Sequence, residues 1–125
     1  MAKVLLADDD PDIRELGRLL LARHGHQVVT ADDGVEAIAM LPTESPALVV
    51  TDLNMPHKDG RDVCTAVRSS PLLHLIPVVI LTALPLTDER VVQATTECHA
   101  VVLLKTDISV LGDLADRLVS EGTAA

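Results

Sequence analysis

Five short apolar runs punctuate the chain, and each gives way to polar or turn-forming residues. Val4-Leu5-Leu6-Ala7 runs into Asp8-Asp9-Asp10, and Gln27-Val28-Val29-Thr30-Ala31 leads to Asp33-Gly34. Leu48-Val49-Val50-Thr51 ends on Asp52, followed by Leu53-Asn54-Met55-Pro56. Pro77 to Thr82 passes unbroken through Val78, Val79, Ile80 and Leu81, and Ala100 to Leu104 ends at Lys105. Runs this short and rich in β-branched residues read as strands; those without polar alternation read as strands buried on both faces.

Between the runs the apolar spacing becomes helical. Asp10-Pro11 reads as the N-cap and first position of a helix that carries Ile13, Leu16 and Leu20 to about His24, where Gly25 stops it. Asp33-Gly34 turns into a short helix with Val35, Ile38 and Ala39, and Pro42 to Pro46 is expected as a loop. Arg61 to Ser69 sets Val63, Ala66 and Val67 at helical spacing and is ended by Pro71. Asp88 to Glu97 predicts a helix whose propensity is lowered by Val91, Val92, Thr95 and Thr96. Leu111, Leu114, Ala115 and Leu118 mark a last helix ending near Glu121, with Ser120 to Ala125 as a small-residue tail.

Five strands alternating with five helices predict a doubly wound α/β fold: a five-stranded parallel sheet of order 2-1-3-4-5 with helices on both faces, the flavodoxin-like arrangement. Ligands in such folds bind outside the carboxyl ends of the strands at the topological switch point. Here that point lies between the first and third strands, so Asp8, Asp9 and Asp52 face one crevice.

Composition narrows the function. The 125 residues carry a formal charge of -9, which argues against direct docking on nucleic acid or an anionic membrane. The 48% hydrophobic fraction contains no Phe, Trp or Tyr, so the core is aliphatic. Cys64 and Cys98 have no framework spacing and fit a reducing compartment. No stretch approaches the roughly 20 apolar residues of a spanning helix, and none resembles a signal peptide. A cytoplasmic location is expected.

The strand ends carry the chemistry. Three carboxylates in one crevice repel one another, and an oxygen-ligated divalent cation, best matched by Mg²⁺, relieves the repulsion. With a cation in place, an aspartate can attack phosphorus to form an acyl phosphate, and catalysis is then alignment and charge neutralisation. The cation, the Lys105 ammonium, and the Thr82 hydroxyl with loop N–H groups suit the three phosphoryl oxygens.

The ordered set Leu-Ala-Asp8-Asp9-Asp10-Pro-Asp-Ile-Arg14, Thr-Ala-Asp-Asp33-Gly34, Asp52-Leu-Asn54-Met55-Pro56-x-x-Asp59-Gly60, Leu81-Thr82-Ala83 and Lys105 resembles the CheY-like receiver domain of two-component response regulators over essentially the whole chain. The resemblance implies that Asp52 is the phosphoacceptor. Asp9, the Asp52 carboxylate and the Asn54 backbone carbonyl are implied as Mg²⁺ ligands, with Asp8 reaching the ion through water, and Thr82 and Lys105 as switch residues. It also implies a phosphorelay partner, either a sensor histidine kinase or a histidine phosphotransfer protein, and a downstream protein target; a homodimer is one open assembly. The chain would be an acceptor that gains and loses its own phosphoryl group, not a turnover enzyme.

Four positions depart from the family pattern. Thr106 stands where Pro commonly follows the lysine in a cis peptide, so a trans bond with a rearranged loop, or a strained site, is expected. Val102 replaces the usual switch aromatic. Lys58 replaces an apolar residue before Asp59-Gly60. Leu84 stands two residues after Thr82, at a position that influences dephosphorylation, and its apolar side chain predicts a slowly lost phosphoryl group.

Three other readings compete. A Mg²⁺-dependent phosphatase would use the D-x-D within Asp8-Asp9-Asp10, but the chain is short for a substrate-closing cap and Asp52 would have no task. A receiver-shaped scaffold that is never phosphorylated would not need the complete acid, Thr and Lys set. A flavin carrier would need a phosphate-cradling loop where three aspartates stand. Asp10 reads as a helix cap, His57 as a rim residue and Cys64 as core; His24, His26, His74 and His99 do not form a metal-ligand spacing. The chain reads as one domain, residues 1–125, without an output domain; both a single-domain regulator and a receiver cut from a longer protein fit.

Overall fold

The computed structural model describes residues 2–124, with side chains described to residue 121. Strands β1 (Lys3–Ala7), β2 (Gln27–Ala31), β3 (Leu48–Asp52), β4 (Val78–Thr82) and β5 (Val101–Leu104) alternate with helices α1 (Pro11–Arg23), α2 (Gly34–Glu44), α3 (Gly60–Arg68), α4 (Glu89–Glu97) and α5 (Leu111–Ala124). The sheet order is β2-β1-β3-β4-β5, as the alternation predicts, and every pairing is parallel. In register, Ala7 lies beside Thr51, and Asp52 beside Leu81. The carboxyl ends of β1, β3 and β4 therefore open side by side.

Alternate strand residues feed two aliphatic layers. Leu5, Ala7, Val49 and Ile80 pack with α2, α3 and α4 residues such as Leu41, Val63, Val67 and Val91. Val4, Leu6, Leu48, Val50 and Leu81 pack with Leu21 of α1 and with Leu111, Leu114 and Ala115 of α5. β3 and β4 are buried along their whole length, which explains their lack of polar alternation.

Several local expectations are corrected. On α1 the buried face is Gly17 and Leu21, and Leu16 is 41% exposed. The physical reason is Gly17: a Cβ there would stand 3.0 Å from Leu6, so the glycine is where the helix rests on the sheet, and Leu16 turns outward. α2 continues to Glu44 through Pro42, with Ser45 as a left-handed cap whose N–H donates to the Leu41 carbonyl. Pro42 is exposed and near the helix end, where the lost backbone hydrogen bond is most easily replaced by water. Val35 of that helix is exposed, and Ala37 and Leu41 make the contact instead. α5 runs through Ser120 to Ala124, where the sequence reads as a tail; Ala125 lies outside the described residues.

Helix starts behave as read. Asp10 caps α1 by accepting from the N–H groups of Asp12 and Ile13. α4 forms despite its β-branched residues, with Asp88 capping it and the Thr95 and Thr96 hydroxyls both donating to the Val92 carbonyl. At α3 a capping box joins Asp59 and Asp62. Burial pushes the Asp59 carboxyl up, but the Arg61 guanidinium and the N–H groups of Asp62 and Arg61 outweigh it and hold it below the usual carboxylate range. A depressed native value means the charge contributes stability above the ordinary carboxylate pKa, and that contribution vanishes as pH falls through the native value. Asp59→Asn keeps a competent cap. It is expected to lose about 0.3–1 kcal/mol at neutral pH, the worth of a charge at a helix start, and nothing in strong acid. Urea unfolding of both chains across that pH range checks it.

Candidate functional site

Asp8 follows the end of β1, Asp52 ends β3, Thr82 ends β4, and Lys105 follows β5. Asp9, Asp10, Asp52, Asn54, Thr82, Ala83, Leu84 and Lys105 line one cavity of about 350 Å³. The fold thus brings together the residues singled out at the strand ends. Carboxylate oxygens of Asp8, Asp9 and Asp52 lie within 4.8 Å of one another.

Lys105 Nζ ties the cluster, donating to Asp52 Oδ2 at 3.2 Å and standing 3.3 Å from Asp8 Oδ2. Asp8 is held by its other atoms. Its Oδ1 accepts from the Asp10 N–H at 2.9 Å, its carbonyl accepts from Arg14 Nη1 at 2.7 Å, and its N–H donates to the Ala31 carbonyl. Asp8 Oδ2 is buried without a hydrogen bond: the lysine is within ion-pair distance but not aligned to donate. A buried carboxylate oxygen that has an ion-pair partner but no hydrogen bond retains capacity for a further cationic partner.

Burial raises the pKa of both Asp8 and Asp52; for Asp52 the Asp8 charge raises it further, and Lys105 only partly offsets this. Burial lowers the Lys105 ammonium, yet Asp52 and Asp8 outweigh it and leave the group above its ordinary value. A carboxyl raised in the native state weighs against the fold wherever it is ionised, above the ordinary carboxylate range. Without a divalent cation, Asp8→Asn is therefore expected to stabilise the chain at neutral pH by about 1 kcal/mol, the usual scale of relief when a functional residue is neutralised. Thermal unfolding in a chelating buffer measures it; the gain should fade in acid.

Thr82 is 1% exposed, and its hydroxyl accepts from the Leu84 N–H at 3.0 Å, so its own proton is free to be donated into the cavity. Leu84 lies half-buried on the cavity wall. The Lys105–Thr106 peptide is trans, the first of the two expected outcomes, and the chain turns at once into a 3₁₀ segment, Lys105–Val110, that leads into α5. Val102 is partly buried against the α2, α3 and α4 layer. His57 is exposed, away from the cavity lining, and Cys64 is core.

Three contributors have no role assigned by the sequence alone. Arg14 donates to the Asp8 carbonyl and pairs with Asp32 at 3.5 Å. Gly60 and Gly34 are packing requirements: a Cβ on Gly60 would meet the Asp52 carbonyl oxygen at 2.5 Å, and one on Gly34 the Lys58 carbonyl oxygen at 2.0 Å. The Asp-Gly pairs were the available signal.

Comparison with known proteins agrees with this geometry. The family model of the response regulator receiver domain matches residues 4–111. Response regulator MprA of Mycobacterium avium is 39% identical over 89 residues, 71% of this chain and 38% of that protein, so the chain spans well under half the length of that regulator. The signal receiver domain of a signal transduction histidine kinase from Syntrophus aciditrophicus superposes with a TM-score of 0.85 at 32% identity, covering 97% of this chain and 92% of the other. The Mn²⁺-bound form of response regulator Rcp1 superposes with a TM-score of 0.76 at 29% identity, covering 93% of each. Strand order, acidic crevice and family match converge, and the chain belongs to the response regulator receiver domain family of two-component systems.

Proposed function

We propose that the chain is a phosphoacceptor module: Asp52 takes a phosphoryl group from a phosphohistidine donor, and the modified domain changes its affinity for a protein target. The observation that carries this is the buried Asp52 carboxylate held by Lys105 at 3.2 Å beside an Asp8 oxygen that lacks a hydrogen bond. An Asp52 oxygen attacks phosphorus, the phosphorus–nitrogen bond breaks, and the imidazole leaves with its electron pair and takes up a proton.

Asp8, Asp9, Asp52 and the Asn54 carbonyl would hold Mg²⁺; the all-oxygen donor set and the orphaned Asp8 oxygen fit it. The ion would neutralise charge on the phosphoryl oxygens. The protein residues do the rest. Lys105 moves its ammonium from the carboxylate to the incoming phosphoryl group, the Thr82 hydroxyl donates to a phosphoryl oxygen, and Arg14 and the Asp10 N–H keep Asp8 aimed at the crevice. The partner implied is a histidine kinase or phosphotransfer protein of the reducing interior of the cell. The chain is an acceptor rather than a turnover enzyme. With Val102 in place of a ring, the response to phosphorylation must pass through Thr82, Lys105 and the 3₁₀ segment rather than through an inward-moving aromatic.

Incubation with Mg²⁺ and a small phosphodonor, read by intact mass and peptide mapping, tests the reading. One phosphoryl group on Asp52 supports it; label on Asp8 favours the phosphatase, and no label favours the scaffold. Leu84 adds a kinetic expectation. An apolar wall cannot orient a water, so the native acyl phosphate should be long-lived. Leu84→Gln should shorten its half-life by about tenfold, less than the roughly 10²–10⁴-fold of full general acid–base catalysis because the amide only orients the water. A native lifetime of seconds overturns that expectation.

A further inference from the structure

On the face where α1 meets α5, a second constellation of metal-binding groups lies outside the strand-end cavity. His24, the C-cap of α1, meets Asp113 and Asp116 of α5, and one donor atom from each of the three falls within 4.8 Å of the others. In sequence these residues are some ninety positions apart, which is why no histidine spacing revealed them. All three are exposed, so an ion can enter from solvent.

The geometry is directed. His24 Nδ1 is 2.5 Å from Asp116 Oδ2, and its other nitrogen, Nε2, stands 3.9 Å from Asp113 Oδ1, beyond hydrogen-bond reach. Two donors about 2.0–2.2 Å from one tetrahedral ion are about 3.3–3.6 Å apart. One ion takes one ring nitrogen, so with His24 bound through Nδ1 the Asp116 pair opens from 2.5 Å by about 0.8 Å and the exposed Asp113 side chain turns to complete the site. Two features fix the ring and the carboxylate. A Cβ at residue 112 would fall 2.3 Å from the His24 ring, so Gly112 leaves the room in which the imidazole lies against α5. His26, with a side chain 3% exposed, accepts the Ala2 N–H on Nδ1 and thereby places its own proton on Nε2, which donates to Asp116 Oδ1 at 2.7 Å. A buried histidine that orients a carboxylate ligand is the outer-shell arrangement of metal centres.

We propose that His24, Asp113 and Asp116 form a binding site for a borderline divalent transition ion, with Zn²⁺ as the matching case, and that His26 is its positioning residue. One imidazole with two carboxylates suits Zn²⁺ better than Mg²⁺, whereas the strand-end set of oxygens has the opposite preference. The two sites are therefore chemically separable. An ion here pins the C-terminal end of α1 to α5, the helix that follows the 3₁₀ segment from Lys105, and stabilises the fold by binding the native state alone.

The test is a Zn²⁺ titration of the full chain in saturating Mg²⁺, followed by calorimetry and by the histidine ring resonances. Saturable binding of one ion that shifts the His24 ring, with a rise in the thermal midpoint, is expected. His24→Gln and Asp113→Asn should each weaken binding by at least roughly tenfold, and His26→Gln by a comparable outer-shell factor. Asp113 is 82% exposed, so Asp113→Asn tests the site without risk to folding, and neither it nor His24→Gln should alter phosphoryl uptake at Asp52. Absence of saturable binding, native affinity in Asp113→Asn, or bound Zn²⁺ that leaves the His24 resonances unmoved overturns the proposal.

Discussion

Asp52→Asn is expected to gain no phosphoryl group from a phosphohistidine donor or a small phosphodonor, under conditions in which the native chain gains one. The amide is nearly isosteric with the carboxylate, so β3 and its pairing of residue 52 with Leu81 should persist. What disappears is the nucleophile, because an amide oxygen carries no charge to share with phosphorus. Burial and the Asp8 charge hold the Asp52 carboxyl above its ordinary range, and the attacking species is the ionised form. A divalent cation against that carboxylate opposes the rise, so the pH at which uptake levels off should fall as Mg²⁺ is raised. A neutral residue 52 also releases Lys105 from one of its two carboxylates, at 3.2 Å, and leaves the ammonium to Asp8. Intact mass gives the result directly. Undiminished uptake by Asp52→Asn, with label mapped to Asp8, would overturn the acceptor assignment in favour of the D-x-D phosphatase.

The strand ends were legible because a parallel sheet buried on both faces leaves few choices. An unbroken run such as Val78 to Leu81 has nowhere to go but the interior, and the residue after it must emerge at the rim. The alternation of elements then fixes which rims are neighbours, and Asp8, Asp9 and Asp52 meet as the topology requires. Periodicity failed where the contact is made by an absent side chain. Hydrophobic spacing counts Gly17 as blank, yet it is the point at which α1 touches Leu6, and so Leu16 was assigned to the wrong face. Pro42 misled in the opposite sense, since an exposed last turn tolerates a missing donor. Polar contacts such as Arg14 on the Asp8 carbonyl, or His24 on the distant Asp116, leave no periodic trace. The family resemblance implies roles for residues that spacing alone leaves among alternatives. It did not extend to Thr106, where the trans peptide and the 3₁₀ turn depend on this chain's own residues.

Gly60→Ala should destabilise the domain by about 3 kcal/mol, the upper part of the range for overpacking, because the added methyl meets backbone rather than a side chain that can rotate away. Its Cβ would lie 2.5 Å from the Asp52 carbonyl oxygen and 2.9 Å from Leu53 Cα, while the Gly60 N–H donates to the Leu53 carbonyl at 2.9 Å. The first turn of α3 is thus clamped directly onto the end of β3. Relief requires either α3 to lift, which breaks that hydrogen bond and loosens Val63 and Val67 in the core, or Asp52 to shift at the mouth of the cavity. The second response carries a functional signature. A displacement of about 1 Å at a reacting group can cost about a hundredfold in rate, so phosphoryl uptake should slow well beyond what the folded fraction explains. Gly25→Ala is the matched control: that residue has φ +84° in open space, so the substitution meets only the left-handed backbone cost of about 1–2 kcal/mol and leaves Asp52 in place. Urea midpoints at constant slope, with uptake rates scaled to folded protein, separate the two variants. A Gly60→Ala chain with the native midpoint and native uptake would show that α3 can pack at a greater distance, and that Asp52 is not held by this contact.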